Sequence, residues 1–339
     1  MVASSFNVNF VAEVSANHLG NLQRAKEIVK LAAQSGATAV KFQTYTAETM
    51  TLDLDSFIVS EGHELWGSRK LFDLYREAHT PWEWHSELFE LCRELDVIPF
   101  SSPFDESAVD FLESLNAPMY KIASLETGDL ALIRKVAETG KPLIISTGAT
   151  TWQEIEDAVR TVRDTGNRNL TLLVCTSSYP ADPVDAHISR MQTLRGAFGV
   201  EVGLSDHTLG IGVSIAAIAL GASVIERHIT IRRSDGGADA AFSLEAEEFA
   251  MLVREGKAAG ESLGEATWSM QDSEKESRRL RRSLYVVKDV KAGDLVTPEN
   301  LRAIRPGGGA APKFYDSYLG KTYIIDLSLG TPITDGMVQ

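Results

Sequence analysis

Apolar and polar positions along the chain follow two alternating periods. Short runs in which most residues are apolar, such as VNFVAEV, TAVKFQTY and VIPFSS, are separated by longer stretches where apolar residues recur every three or four positions. The first pattern is that of a strand buried on both faces, the second that of an amphipathic helix. After VNFVAEV, the stretch LQRAKEIVKLAAQSG sets Leu22, Ala25, Val29 and Ala32 on one helical face and places Gly36 at the expected stop. The alternation continues through PMYKIAS, KPLIIST, LTLLVCTS, VEVGLSD and SVIERHI, giving eight strands in all. The helix opening at TPWEWHSELFELCREL is expected to be capped by Thr80, with Pro81 at its first position and Glu83 three residues on. Eight strand and helix units over about 260 residues are what an α/β fold of the (β/α)8 TIM barrel type requires. A doubly wound open sheet competes, but no glycine-rich dinucleotide turn follows the first strand.

The pattern changes after the helix EAEEFAMLVREGKAAGESLG. SMQDSEKESRRLRR is charged and poor in apolar residues, and the tail beyond it has short strands, turns and glycines. The expected division is a barrel over 1–262, a linker or exposed helix over 263–282, and a small module over 283–339, too small to hold much core of its own. The chain has 339 residues, 44% of them hydrophobic, and a formal net charge of -14. Such acidity excludes the basic face that nucleic acid or an anionic membrane surface would need. An anionic small substrate would have to be met by locally placed lysines, serines or backbone N–H groups. Cys92 and Cys175 form no CxxC pair, so neither a disulfide framework nor a thiolate metal site is expected. The opening MVASSFNVNF lacks a basic region followed by an apolar run, from which a cytoplasmic location is expected. TLGIGVSIAAIALGASVI runs straight into Glu226, Arg227 and His228, and reads as a buried helix and strand rather than a membrane span.

In a barrel of this kind the C-terminal ends of the strands carry chemistry. Those ends supply Glu13, Ser15, Asn17 and His18; Lys41 and Gln43; Lys121, Ser124 and Glu126; Ser146 and Thr147; Thr176, Ser177 and Tyr179; Ser205, Asp206 and His207; Glu226 and His228. Alternation along a strand points Lys41 with Gln43, Ser205 with His207, and Glu226 with His228 the same way, into the barrel mouth. Lys41 and Lys121 stand inside apolar runs, where an unpaired ammonium is costly, so an anion such as phosphate or carboxylate is the expected partner. Schiff-base chemistry by one lysine is the alternative. Two histidines on neighbouring strand ends, with Asp206, Glu226 and Asp239 near in sequence, suit a labile divalent cation such as Mn²⁺, Co²⁺ or Zn²⁺. His63, His79, His85 and His187 are expected at the surface, and Trp66, Trp82 and Trp84 in core or loop packing.

Taken in order, AEVSANHLG, VKFQTY, FSSPFD, YKIASLE, STGAT, CTSSYP, GLSDHT, VIERHIT and AIRPGGG resemble the sialic acid synthase family over nearly the whole chain. LWGSRKLFDLYREAHTPWEWH and KIASLE resemble its pseudaminic acid branch more than its N-acetylneuraminate branch. The tail resembles the family's antifreeze-like module, the SAF domain. The resemblance implies condensation of phosphoenolpyruvate with a 2,4-diacetamido-2,4,6-trideoxy hexose of altrose type, and a domain-swapped homodimer whose tail modules cover each other's barrels. It implies a metal on His207 and His228, with Mn²⁺, Co²⁺ or Mg²⁺ ahead of Zn²⁺. Phosphoenolpyruvate falls to Lys41, Lys121, Ser124, Ser146, Ser177 and Ser205, and proton handling to Glu13. The sugar falls to Asn17, Gln43, Glu126, Tyr179, Glu226 and Asp239, with Arg305 donated by the neighbouring subunit. Leu19, Ser177 and Ala181 depart from residues common in the family. N-acetylneuraminate and legionaminate synthesis are the neighbouring alternatives. A Schiff-base pyruvate aldolase is disfavoured because LTLLVCTSSYP holds no lysine, and a sugar-binding protein with a decayed site because the set of polar strand ends is nearly complete.

Overall fold

All eight apolar runs form strands in the computed structural model, which describes residues 8–61 and 65–339. They are β1 (Asn9–Glu13), β2 (Ala39–Thr44), β3 (Ile98–Pro103), β4 (Tyr120–Ile122), β5 (Leu143–Ser146), β6 (Leu170–Cys175), β7 (Glu201–Ser205) and β8 (Val224–His228). Each is parallel to the next, and β8 pairs with β1, so the sheet closes into a barrel in sequence order. The open-sheet alternative is thereby removed. Parallel neighbours need a crossover, and helices supply it in every gap. They are α1 (Leu22–Gln34), α2 (Ala47–Met50), α3 (Leu71–Ala78), α4 (His85–Glu94), α5 (Glu106–Ser114), α6 (Leu130–Ala137), α7 (Trp152–Asp164), α8 (Arg190–Phe198) and α9 (Gly212–Ala219), and α10 (Ala246–Ser262) follows β8. The β2 to β3 gap holds three of them, with a hairpin in which Val59 N donates to Arg69 O and Ser68 N to Val59 O.

The main core lies between the strands and the helix ring, where α1 contributes Ala25, Val29 and Ala32. A second apolar layer of Val11, Ala39, Phe100, Ile144, Leu173 and Val224 fills the inside of the barrel. One register step further along, the inside changes character, since Glu13, Lys41, Lys121 and Glu226 are buried there. The fill thus makes the lower barrel a packed core and leaves the upper end to polar groups.

The α4 start differs from expectation. Trp82–Trp84 forms a single 3-10 turn and α4 begins at His85. Thr80 does not cap it; its hydroxyl is buried against His18 Nε2 at 3.4 Å. His85, expected at the surface, is fully buried, with Nε2 2.8 Å from Thr44 Oγ1 and Nδ1 3.3 Å from Pro81 O. A histidine at the start of an amphipathic helix points wherever that helix is pressed, and here α4 packs on β2 and β3. His187 is exposed and His79 half-buried, while His63 lies outside the described residues. Trp82 stacks on Phe111 at 4.7 Å and Trp84 meets His18 edge-on at 5.5 Å, as packing residues do.

The described residues divide into two compact units, one ending at Gly264 and the other spanning Glu265–Gln339. In the second, β9 (Ser283–Val286) pairs antiparallel with β10 (Leu301–Ile304) over a small core including Leu284, Val286, Leu301, Tyr323 and Ile333. Residues 265–282 are exposed and contain the short helix Lys275–Arg279. Among the described residues, no helix is long and apolar enough to cross a membrane.

Candidate active site

Strand register assembles the charged layer. Glu13 stands opposite Lys41 on one side and His228 on the other, and Ser205 stands opposite Glu226. Lys41 Nζ lies 2.5 Å from Glu13 Oε2 and 3.7 Å from Glu226 Oε1, and Lys121 Nζ lies 3.3 Å from the same Glu226 oxygen. Ser205 Oγ donates to Glu226 Oε1 at 3.0 Å, and Lys41 Nζ donates to Ser102 Oγ at 3.3 Å. Two buried ammoniums are thus matched by two buried carboxylates, the condition under which such charges are tolerated. Burial would raise Glu226, yet Lys121 and Lys41 hold it at about 2. Glu13 goes the other way, because burial outweighs Lys41 and lifts it above the usual carboxylate range. Burial lowers Lys121, while Lys41, more tightly flanked by Glu13 and Glu226, is raised against it. Glu13 Oε1, Glu226 Oε2 and Ser146 Oγ are buried without a hydrogen-bond partner among the described residues. The Ser146 hydroxyl is left to donate to an incoming anion, and the carboxylate oxygens to accept from water.

Beside the lysines runs a narrow cradle in which Ser124 and Ser177 were expected from the sequence and Gly148 was not. Gly148 N donates to Ser124 Oγ at 3.1 Å. A Cβ on Gly148 would collide with Ser177 Oγ and stand 2.8 Å from Ser124 Oγ, so the two serines approach across a residue that must lack a side chain. The glycine in STGAT was the available signal. Cys175 was missed as well. Its Sγ lies 3.9 Å from both Ser177 Oγ and His207 Nδ1. Burial opposes charge on either partner, but their proximity draws Cys175 down to about 7 and His207 up.

The histidine rings are 5.3 Å apart, and Phe242 packs edge-on against both. His207 Nδ1 sits 3.0 Å from Thr176 O, which assigns the proton to Nδ1 and leaves Nε2 as a lone-pair donor. His228 Nδ1 is buried without a partner among the described residues, and burial, followed by His207, pushes the ring well below its ordinary pKa. A neutral, unspent imidazole beside a second one is a donor pair that suits a divalent cation. Asp206, one of the carboxylates placed near them by sequence, is not free to join. Arg227 Nη1 holds it at 2.6 Å and Ser214 Oγ donates to it at 2.5 Å, while Arg227 also donates to Thr208 O and Gly210 O. That buried pair ties down the loop after β7 instead. No group of three His, Cys, Asp or Glu converges as a closed cage among the described residues. A cation held here would keep positions open for substrate.

A cavity of about 370 Å³ opens beside His228. Its polar side is built by Ser15, Gln43, Glu126, Tyr179 and Asp239, and Trp66, packed on Tyr179 at 5.5 Å with Nε1 donating to Ala238 O at 2.9 Å, joins the lining. Ser15 Oγ donates to Asp239 Oδ2 and accepts from Gln43 Nε2 at 3.0 Å. Burial lifts Glu126 to about 7 and raises Asp239. Asn17 stands behind this wall, its amide donating to Ile229 O and Ser243 Oγ. Glu226 belongs to the lysine cluster rather than to the cavity. Arg305 lies in the second unit and is exposed.

A model described as the NeuB family matches residues 28–267, and a SAF domain model matches 281–339. The chain is 45% identical over 327 residues to a pseudaminic acid synthase of Helicobacter pylori, covering 96% of each chain. It is 39% identical to a pseudaminic acid synthase of Campylobacter jejuni, covering 100% of each. Among solved structures, an N-acetylneuraminic acid synthetase of Leptospira borgpetersenii in complex with citrate superposes with a TM-score of 0.72 at 31% identity, covering 80% of this chain and 90% of that one.

Proposed function

The chain belongs to the NeuB family, and on that premise we propose that it condenses phosphoenolpyruvate with a 2,4-diacetamido-2,4,6-trideoxy hexose of altrose type, giving pseudaminic acid and phosphate. The observation that carries this reading is the juxtaposition of two buried lysines and a serine cradle with a pair of neighbouring histidines, one of which, His228, opens onto a cavity. One half suits a small polyanion and the other a sugar aldehyde. Full-length similarity to two pseudaminic acid synthases supports the choice of sugar.

Lys41 and Lys121 bind the phosphate and carboxylate of phosphoenolpyruvate, with Ser124, Ser146, Ser177 and Ser205 around them and Gly148 leaving room between two of the serines. Their work is positioning and charge compensation, which suits groups that need no reorganisation at the moment of reaction. His207 Nε2 and His228 Nδ1 would hold Mn²⁺, Co²⁺ or Mg²⁺, or failing these Zn²⁺. Bound there, the ion would supply Lewis acidity toward the aldehyde oxygen of the open-chain sugar. Carbon 3 of phosphoenolpyruvate bonds to the aldehyde carbon as the C=O π bond gives way, leaving an alkoxide and an oxocarbenium-like carbon 2. Water adds at carbon 2, Glu13, raised by burial and with Oε1 unspent, takes its proton, the alkoxide gains one to become the hydroxyl, and phosphate leaves carbon 2 by C–O cleavage. Gln43, Glu126, Tyr179 and Asp239 orient the sugar.

We further propose a cytoplasmic, domain-swapped homodimer in which Arg305 of each tail serves the other barrel; the second unit's small apolar core supports a need for docking. The deciding experiment offers the purified protein phosphoenolpyruvate with the altrose-type sugar, its manno-configured isomer or N-acetylmannosamine, and times phosphate release. Fastest release with the altrose-type sugar is expected. Preference for either other sugar reassigns the substrate, and borohydride trapping of a pyruvate adduct on Lys121 would replace the mechanism by an aldolase one.

A further inference from the structure

The cavity beside His228 has two unlike halves. Strand ends and their loops supply the polar half, and the segment between β2 and α4 supplies much of the other. On α3 the residues Leu71, Leu74, Tyr75 and Ala78 all line the cavity, and their spacing of three, four and seven puts them on one helical face. Met50 of α2 and Val59 of the hairpin extend that face. Tyr45 meets Tyr75 edge-on at 5.9 Å and Phe104 at 5.1 Å, so its rim is aromatic.

The stripe is not spent on the main core. None of these α3 residues belongs to the apolar cluster between strands and helices; off the stripe, Phe72 is buried and Asp73, Arg76 and Glu77 face solvent. An amphipathic helix normally buries its apolar stripe against a neighbouring element. Here the stripe is turned to an open cavity flanking the catalytic groups, so what it covers is a ligand surface that is itself apolar in part. Glu126 lines the same cavity, lifted by burial, and its charge is felt by Tyr75 of α3.

We propose that this face of α3, with Met50, selects the sugar by its methyl groups, the deoxygenated carbon 6 and the acetyl group on nitrogen 4. The inference rests on the sugar class proposed above and deepens it. With the aldehyde end beside His228, the rest of a six-carbon sugar extends into the same cavity that the α3 stripe lines. A 6-hydroxyl there would lose water without a partner, and a bare 4-amino group would bring a charge against leucines. The wall reads methyl groups and is indifferent to ring configuration, which the polar half would have to read.

The test uses the unmodified enzyme first. Three sugars are compared with phosphoenolpyruvate: the diacetamido sugar, its 6-hydroxy analogue, and its 4-amino analogue lacking the acetyl group. Each change is expected to lower kcat/KM roughly tenfold to 200-fold, the range for one small group in an apolar pocket. In Leu71→Ser and Leu74→Ser that discrimination is expected to shrink, with the KM for phosphoenolpyruvate unchanged. Circular dichroism establishes that each variant is folded, and the analogue series on the unmodified enzyme decides the matter if one is not. An enzyme that turns over all three sugars equally, or folded variants that keep full discrimination, overturns the inference while leaving the condensation reading intact. No phosphate release from any diacetamido sugar removes that reading and this inference together.

Discussion

Lys41 and Lys121 occupy positions where an ammonium survives only with a partner, and the resting partners are Glu13 and Glu226. A polyanion that binds here competes with them, so the site works by exchange of counter-charges within a buried cluster of fixed size. Gly148 controls access to the adjoining cradle. Gly148→Ala places a methyl group against Ser124 and Ser177, and is expected to raise the KM for phosphoenolpyruvate by at least about tenfold while leaving the sugar KM near its original value; steady-state kinetics with each substrate varied checks this. Glu126 should write its own signature. With its carboxyl lifted to about 7, it is ionised above neutrality and able to accept a sugar hydroxyl, so kcat/KM for the sugar is expected to rise toward a plateau as pH passes through 7. Glu126→Gln should lower the plateau and flatten that limb in a pH–rate profile. Most of these residues were legible because they end apolar strands. Gly148 offered only the glycine of STGAT as a signal and Cys175, in a hydrophobic run, offered none, since their chemistry appears once folding sets them beside serines and a histidine.

At the level of elements, the barrel mouth is pinned to α4 by two neutral histidines. His18 accepts from Gly20 N at 3.0 Å and reaches Thr80, while His85 bridges Thr44 and Pro81. Burial lowers both rings from 6.5 to about 4. Because the unfolded chain takes up these protons at higher pH than the folded one, their contribution to stability is complete above about pH 6.5 and is lost progressively toward pH 4. At about 1.4 kcal/mol per unit, each can remove on the order of 3 kcal/mol. The thermal midpoint is expected to fall steeply between pH 6.5 and 4, and less steeply in a folded His85→Gln variant, as calorimetry across that range would read. Another element-level support is the Arg227 and Asp206 pair behind the two histidines. Arg227→Met leaves a buried carboxylate unpaired and should destabilise by about 3–5 kcal/mol, with a loss of Mn²⁺ affinity as the β7 loop relaxes. Calorimetric titration with Mn²⁺ measures the second effect; His207→Ala and His228→Ala should abolish binding outright. Neither histidine pin nor arginine clamp was visible beforehand, because which face of α4 meets β2, and which carboxylate meets Arg227, depends on packing between distant segments.

For the whole molecule, an acidic chain of net charge -14 must bind a polyanion, so attraction has to come from inside the barrel rather than from its surface field. The proposed dimer makes a further demand. Mixing Lys121→Ala with Arg305→Ala, each expected to be inactive alone, should restore activity if the tail acts across subunits, to at most about one competent site in two; recovery that fails under exchange conditions would place Arg305 in its own barrel or outside the site. The linear pattern alone determined the eight strands, their order, the strand-end lysines, serines and histidines, and the small trailing module. Periodicity is a local property of the backbone, and parallel strands joined by helices leave few ways to close. Tertiary structure decided the rest: that β8 meets β1, that Glu226 joins the lysines while Asp206 turns to Arg227, and that the α3 stripe faces a cavity instead of the core. These are matters of which side chains share a volume, and that volume exists only once the barrel has closed.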